Sequence, residues 1–561
     1  MSATDEIDVL VVGSGTGLAA ALAAHDAGLT TLVIEKTDLV GGSTARSGGA
    51  FWIPANPILD ELGAVDTPER GARYLDAVVG DSAPLARRVA FAEHGPATVR
   101  FLQRVTRLKF TWAKGYSDYH PELPGGSAQG RSCEARPFDL NKLGDALPRL
   151  RPGVVEAPVP MPVTGGDYKW LNLMNRMPVR ALPVIAKRVA QGIGGLALRR
   201  RYAAGGQALA AGLFDAALRA GIPIRTGTAL RRLVTEDGRV TAVEVEQDGT
   251  ISTIRVRRGV VLAAGGFDHD LAWRHRYQSP ALQDWSLGSE GNTGDAIKAA
   301  VELGAATTLM DQAWWFPAIA PLPDAAPAVM LAERSLPGSF MIDRHGRRFA
   351  NESSDYMTFG QQILARERAG DPVGDMWMVF DQGYRNGYVL GGSVFPRMAL
   401  PQAWYDNGIA VRGQSFEELA AGMGVPVDEF ARTAERFNEL AGVGEDEDFG
   451  RGNSAYDRYY GDPTVTPNPN LRPLDASKLF AIRVVLSDLG TCGGLVADEH
   501  ARVLDSAGAP IPGLYAIGNT AGNAFGTTYP GAGATIGQGL VYGYIAARHL
   551  VGADRTLAPA H

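Results

Sequence analysis

The residues with the clearest chemical potential lie near the C-terminus, in Thr528-Tyr529-Pro530-Gly531-Ala532-Gly533-Ala534-Thr535-Ile536-Gly537, where a phenol is set in a run of small residues. A phenol donates a hydrogen bond readily. As a base it is weak near neutrality, because its ordinary pKa is about 10 and only a partner that stabilises the phenolate or relays the proton brings it into use. The chain holds 17 tyrosines, and most tyrosines pack or sit at rims with a wet hydroxyl, so composition alone singles out none of them.

A second set of candidates stands at the other end. Ile7-Asp8-Val9-Leu10-Val11-Val12 reads as a buried parallel strand that runs into Gly13-Ser14-Gly15-Thr16-Gly17 and an alanine-rich helix. Glycines there let the backbone turn tightly and approach a pyrophosphate, whose charge suits the free N–H groups and positive dipole of a helix start. A further strand, Thr31-Leu32-Val33-Ile34, ends at Glu35, at the distance expected of an acid that hydrogen-bonds ribose hydroxyls. The pattern departs from the fingerprint at Leu18, where a third glycine is expected, and predicts a shortened or shifted first helical turn.

After Lys36 comes Gly41-Gly42-Ser43-Thr44-Ala45-Arg46-Ser47-Gly48-Gly49, too long for a simple turn and suited to wrapping an isoalloxazine, which favours a flavin over a nicotinamide. Val260 to Gly266 and Gly513 to Asn519 repeat the theme of a buried strand ending in small residues, so cofactor-contacting pieces are expected from both chain ends. Each piece alone is equally a strand closing on a tight turn.

The 561 residues allow roughly two to four domains, and 45% hydrophobic with 20% charged residues is a globular composition. A net charge of −7 argues against general nucleic-acid binding, which needs a strongly basic face. Cys133 and Cys492 stand far apart in no metal-ligand spacing, so neither a disulfide framework nor a metal site is expected, and a reducing cytoplasm fits. Met1 to Glu6 is acidic, without a secretory pattern, and no run of about eighteen apolar residues predicts a membrane-spanning helix.

A polar and aromatic stretch to about Asp139 and a proline-rich loop from Pro152 to Pro162 are expected to interrupt the cofactor domain. Between Lys169 and Arg201 stand eight basic residues, Lys169, Arg176, Arg180, Lys187, Arg188, Arg199, Arg200 and Arg201, with no Asp or Glu among them. This is either a solvated helical insertion or an amphipathic surface touching anionic lipid. A helix from Gly205 to Ala220, strands joined by Asp237-Gly238, and a helix from Asp295 to Leu303 are expected next. The pattern then becomes mixed. The expected division is 1–311 for the cofactor domain, with a basic insertion at about 152–204, then 312–488 for an inserted domain and 489–561 for the rest of the cofactor domain.

Taken together, these motifs resemble the flavoprotein 3-ketosteroid Δ1-dehydrogenases, within the fumarate-reductase-like FAD enzymes, over nearly the whole length. The wider group is indicated by the glycine loop, Glu35-Lys36, Gly42 to Gly49 and Asn292-Thr293-Gly294-Asp295. More specific are Gly115-Tyr116-Ser117-Asp118-Tyr119, Glu333 to Ser339, Asn351-Glu352-Ser353, Tyr456 to Pro463 and Thr528-Tyr529-Pro530-Gly531. The resemblance implies an α/β protein with a Rossmann-like FAD-binding domain assembled from both chain ends and an inserted α+β catalytic domain. It implies removal of hydrogens from C1 and C2 of a 3-ketosteroid. Tyr529 and the backbone N–H of Gly533 would hold the C3 carbonyl, where donors aimed at developing enolate charge lower the barrier to proton loss. Tyr356 would take the C2 proton with Tyr119 as helper, and flavin N5 the C1 hydride; Tyr459 and Tyr460 read as structural.

Cofactor contacts are assigned to Gly13, Ser14, Gly15, Glu35, Lys36, Gly42, Ser43, Thr44, Ser47, Gly48, Gly49, Ala264, Gly265, Asn292, Asp295, Gly518, Asn519, Thr535 and Ile536. Partners implied are a 3-ketosteroid and an unidentified electron acceptor. Two departures stand out: Cys492 where relatives often have lysine, and Ala532 where proline is common, which is expected to loosen the Gly533 loop. Three other readings stay open: dehydrogenation at C4 and C5, against which Tyr529-Pro530 argues; a fumarate or enoate reductase, which wants Arg and His around carboxylates; and a non-catalytic flavin-binding redox partner.

Overall fold

The computed structural model describes residues 6–154 and 160–552, so part of the proline-rich loop and the acidic start of the chain lie outside the described residues. The expected α/β architecture is present. In chain order, the strands that matter most are β1 (Glu6–Val12), β2 (Thr31–Ile34), β3 (Ile224–Arg225), β4 (Thr228–Glu236), β5 (Arg239–Gln247), β6 (Thr250–Leu262), β7 (Ala313–Ile319), β8 (Ser339–Ile342), β9 (Met376–Asp381), β10 (Leu479–Thr491) and β11 (Pro510–Ala516).

An eight-stranded sheet runs Arg502–Leu504, β11, β6, β1, β2, β3, and β4 and β5 attach to the long β6 as an antiparallel meander. Pairings from β11 through β3 are parallel, with Val12 opposite Ile34 on one side and Leu262 on the other. Because both faces of the sheet are covered there, the second half of β1, Val9 to Val12, is an unbroken apolar run. Val9 and Val11 enter one core, and Leu10 and Val12 the other. The carboxyl ends of β1, β2, β6 and β11 converge, and in open α/β sheets the crevice outside those ends receives ligands.

Five helices matter for the site: α1 (Gly17–Asp26), α2 (Gly165–Asn172), α3 (Pro178–Ala197), α4 (Tyr356–Arg368) and α5 (Ala534–Val551). The two chain ends meet where α5 crosses α1. A Cβ on Gly539 would lie 2.5 Å from Thr16 Oγ1, and one on Gly543 3.2 Å from Ala20 N, so these glycines let two backbones approach as larger residues would not. The Leu18 departure does not shorten α1. The helix starts at Gly17, which packs closely on Ala263 and Val11, and Leu18 points into the core.

The inserted domain is built on a mostly antiparallel six-stranded sheet in which β7, β10, β9 and β8 are successive neighbours. Helix α4 lies against β7, with Gly360 over Trp315. The stretch before Asp139, read from sequence as polar and aromatic, holds the helix Leu85–Val105 and a small antiparallel sheet, Ala50–Trp52, Phe110–Trp112 and Ser132–Ala135. The two meander strands joined by Asp237-Gly238 are nine residues each. No helix among the described residues is long and apolar enough to cross a membrane.

Candidate active site

One continuous cavity runs from the carboxyl edge of the parallel sheet into the inserted domain. Its sheet end is lined by Gly13, Ser14, Gly15 and Thr16 after β1, by Glu35 and Lys36 after β2, by Ala263, Ala264 and Gly265 after β6, and by Gly518 and Asn519 after β11. Gly13 has φ +107°, and a Cβ there would sit 2.2 Å from the Ala263 carbonyl oxygen, so only glycine lets the turn form. The N–H groups of Gly15 and Thr16, beside the start of α1, have no protein acceptor among the described residues. They are free to meet an anion at a helix N-terminus.

The Glu35 carboxylate is fixed from two sides. Ser14 donates to Oε2 through its N–H at 3.1 Å and its hydroxyl at 2.6 Å, while Thr37 N–H and hydroxyl donate to Oε1 at 3.0 and 2.9 Å. Lys36 Nζ is held by Thr293 Oγ1 at 2.6 Å and Asp295 Oδ2 at 2.7 Å, which ties the strand β2 exit to the Asn292–Asp295 turn. That turn is packed in its own right, since a Cβ on Gly265 would meet the Asn292 amide at 2.5 Å. The small-residue segment after Gly41 is not all loop: Gly42–Arg46 forms a turn of helix, and Gly42, Ser43, Thr44, Ser47, Gly48 and Gly49 all line the cavity. These residues fit a dinucleotide-linked flavin: glycine cradles that a Cβ would fill, free N–H donors at a helix start, and an acid beside the glycine turn.

At the far end the cavity meets Tyr119, Tyr356 and Tyr529, drawn from three distant parts of the chain. Their rings form a triangle with centroids 5.4 Å (Tyr119 to Tyr356), 5.2 Å (Tyr119 to Tyr529) and 5.5 Å (Tyr356 to Tyr529) apart. Each is placed by backbone geometry. Asp355 caps α4 by accepting from Thr358 N at 3.0 Å, which makes Tyr356 the first helical residue. Tyr119 N–H donates to Pro530 O at 3.1 Å, linking it to the loop that carries Tyr529. Trp314 lies 4.7 Å from the Tyr529 ring and donates its indole N–H to Asn519 Oδ1 at 3.0 Å, which also accepts from Thr535 Oγ1.

The loop carrying Gly533 is tied at successive carbonyls. Tyr74 OH donates to Pro530 O at 2.7 Å, Ser132 OH to Ala532 O at 2.8 Å, and Trp52 N–H to Gly533 O at 3.2 Å. The loosening expected from Ala532 is therefore opposed by contacts that a proline at that position is not needed to make. Gly533 has φ +90° and sits against Ala50, so it is fixed as glycine.

Burial dominates the electrostatics. Tyr119 and Tyr356 are pushed well above the ordinary phenol range by desolvation; four neighbouring tyrosines push Tyr119 the same way, as Tyr529 and Tyr116 do Tyr356. Tyr529 rises less, to about 12: burial lifts it, while the Tyr356 hydroxyl and the N–H groups of Thr535 and Gly533 hold it down. The Tyr119 hydroxyl is buried without a hydrogen-bond partner. A polar group left so costs stability unless a ligand satisfies it.

All the residues assigned from sequence line this one cavity. Sequence reasoning missed Thr16, Arg46, Thr228, Leu230, Leu287, Ser289, Phe316, Val329 and Leu331, which also line it. Tyr460, read as structural, is a cavity residue as well, whereas Cys492 is buried outside it. Thr228 and Leu230 sit at the start of β4, and nothing local in the sequence says which face of that strand meets a ligand.

The family model described as FAD binding domain matches residues 8–536. A 3-oxosteroid 1-dehydrogenase of Mycolicibacterium smegmatis is 43% identical over 97% of this chain and 96% of its own length. A 4-oxocyclohexanecarboxylate 2-dehydrogenase of Sinomonas cyclohexanicum is 36% identical over 97% of this chain and 93% of its own. Among solved structures, the 3-ketosteroid Δ1-dehydrogenase of Sterolibacterium denitrificans, in complex with 1,4-androstadiene-3,17-dione, superposes with a TM-score of 0.91 at 35% identity, covering 98% of this chain and 99% of that one.

Proposed function

The chain belongs to the family of FAD-dependent 3-oxosteroid 1-dehydrogenases, and from that premise we propose that it introduces a double bond between C1 and C2 of a 3-ketosteroid during steroid breakdown. The observation that carries this reading is the single cavity joining the glycine loops to the three-tyrosine triangle.

In this reading the Tyr529 hydroxyl and Gly533 N–H hold the C3 carbonyl oxygen, where negative charge grows as the neighbouring C–H bond weakens. Tyr356 receives the C2 proton. Its pKa is driven up by burial, so it is neutral at rest and must give up its own proton as it takes another. Tyr119, its ring 5.4 Å away, is likewise kept neutral by burial and serves as a relay, accepting this proton while its own hydroxyl proton passes on to water. Gly13, Gly15, Glu35, Lys36, Ser43, Asn292 and Asp295 would hold FAD, which when bound supplies the two-electron acceptor for the C1 hydride. Excluding water from the triangle keeps the donors effective.

A carboxylate-binding reductase is disfavoured because the far end of the cavity presents Tyr116, Tyr119, Tyr356, Tyr460, Tyr529 and Phe316 rather than Arg and His. Residues 1–311 with 489–561 are read as the FAD-binding domain and 312–488 as the catalytic one, in a cytoplasmic enzyme with an electron acceptor of unidentified chemistry.

Anaerobic mixing with 4-androstene-3,17-dione tests the proposal: flavin bleaching with a 1,4-diene product is expected. Unchanged flavin absorbance would leave a non-catalytic flavin protein, reaction only with a 5α-reduced 3-ketosteroid would move the reaction to C4 and C5, and reaction only with 4-oxocyclohexanecarboxylate would replace the steroid.

A further inference from the structure

Tyr459 and Tyr460 are neighbours in sequence, yet only one of them reaches the cavity. Tyr459 stacks flat on Tyr116, with ring centroids 4.6 Å apart and planes 2° from parallel, and belongs to the packing. Tyr460 lies edge-on to Tyr116 and lines the cavity. Its position is fixed from the backbone outward. Ser454 caps the short helix Ala455–Tyr459 by accepting from Tyr456 N at 3.1 Å, and the turn that follows is closed by Gly461 N–H to Arg458 O at 3.2 Å and Asp462 N–H to Pro469 O at 2.8 Å. The ring is then gripped by Tyr459 at 4.7 Å, Tyr116 at 5.5 Å and Tyr168 of α2 at 6.4 Å. It is 3% exposed, so close packing leaves it little freedom to turn.

The hydroxyl at the end of this rigid ring is unused. It is buried, and no hydrogen bond closes on it among the described residues, although the Tyr116 hydroxyl stands beside it. Burial pushes its pKa well above the ordinary phenol range, and Tyr116 and Tyr459 add to that, so the group is a neutral donor at every working pH. The inserted domain supplies Phe316, Val329 and Leu331 to the same cavity, and none of these side chains offers an acceptor. A buried donor with nothing to meet costs stability. A cavity wall that keeps one is matched to a ligand carrying an acceptor.

The place of the donor says where on the ligand that acceptor lies. Among the described residues Tyr460 makes ring contact with Tyr116, Tyr168 and Tyr459, and with no member of the Tyr119, Tyr356 and Tyr529 triangle. Tyr116 stands between, 5.5 Å from Tyr460 and 6.4 Å from Tyr119. A carbonyl oxygen held by Tyr529 and Gly533 is therefore not the one that Tyr460 meets, whereas a rigid fused-ring ligand clamped there carries its other end away from the triangle. We propose that Tyr460 is a second anchor for the substrate, donating to an oxygen on the ring farthest from C3 and so selecting ketosteroids that carry an acceptor there. The inference rests on the steroid reading of the site. Because the contact lies away from C1 and C2, it holds ground state and transition state alike, and its loss raises KM while kcat stays.

Two steroids and one variant test it: 4-androstene-3,17-dione, which has an oxygen at C17, and 4-androsten-3-one, which lacks it, each turned over by the FAD-loaded parent and by Tyr460→Phe. The ratio of their kcat/KM values, dione over monoketone, is expected to fall at least ~fivefold from parent to variant, through KM for the dione. Taking the ratio cancels the difference in hydrophobicity between the steroids. Spectral titration of the bound flavin with 1,4-androstadiene-3,17-dione reads the same loss of affinity without turnover. The variant keeps the ring and removes an unmet hydroxyl, so its flavin content and its melting temperature without steroid should match or exceed the parent's. A ratio that is the same in parent and variant overturns the anchor and leaves the reaction in place. So does a fall in kcat of Tyr460→Phe on both steroids, or a lower melting temperature, since either makes the hydroxyl part of the proton path or of the packing. No turnover of either steroid by the parent removes the steroid reading, and the anchor with it.

Discussion

Replacing Tyr529 by Phe tests the carbonyl clamp at its most exposed assumption. The substitution removes only the hydroxyl. The ring stays held by Trp314 at 4.7 Å, Tyr119 at 5.2 Å and Tyr356 at 5.5 Å, so the cavity keeps its shape. Of the two donors assigned to the C3 oxygen, the Gly533 N–H remains, because its loop is anchored through the Pro530, Ala532 and Gly533 carbonyls. Losing one preorganised donor in a dry site costs about 3–4 kcal/mol of transition-state stabilisation, which is roughly 10²- to 10³-fold in turnover. The stability cost is smaller, about 1 kcal/mol, for the N–H groups of Thr535 and Gly533 left facing a ring edge. Anaerobic stopped-flow of flavin reduction, with the flavin-to-protein ratio measured alongside, reads both quantities. The fall should appear in kcat as well as kcat/KM, since the contact strengthens as enolate charge forms. A loss below about tenfold with flavin fully retained would refute the clamp.

Gly533→Ala is expected to lose at least ~10-fold in turnover and about 2 kcal/mol of stability, because φ is +90° and the new Cβ would lie 2.2 Å from Ala50 O; a wild-type melting curve would contradict this. Glu333 is pushed to about 7 by burial, from 4.5. A raised carboxyl favours the protonated folded form, so this group's stabilising contribution is present at low pH and lost as pH rises from about 4.5 through 7. The Glu333→Gln variant should therefore gain relative to the parent at about pH 8 by up to roughly 3 kcal/mol, and gain little at about pH 5; an equal difference at both would refute it. Tyr74, Tyr119, Tyr356 and Tyr460 are all raised by burial. Their contribution is complete below about pH 10 and lost above it, so alkaline titration of the native protein should show a delayed tyrosinate rise that unfolding releases in one step. A simple rise of all 17 tyrosines near their ordinary value would contradict the burial.

The sequence by itself determined the cofactor end. A glycine turn, the acid Glu35 and the small residues after β6 and β11 are short-range signals, because a tight turn or a close backbone approach constrains residue type at a single position. The resemblance likewise pointed to Tyr119, Tyr356 and Tyr529, and all three line the cavity. Sequence did not determine that Tyr460 belongs there too, that Ala532 is held through its carbonyl by Ser132, or that Leu18 leaves α1 intact. Each depends on what another part of the chain brings into contact, and that is a property of packing. The basic insertion shows the same division. Its charge was plain in the sequence, but only the fold decided which side of α3 is spent on the protein and which apolar side is left facing out.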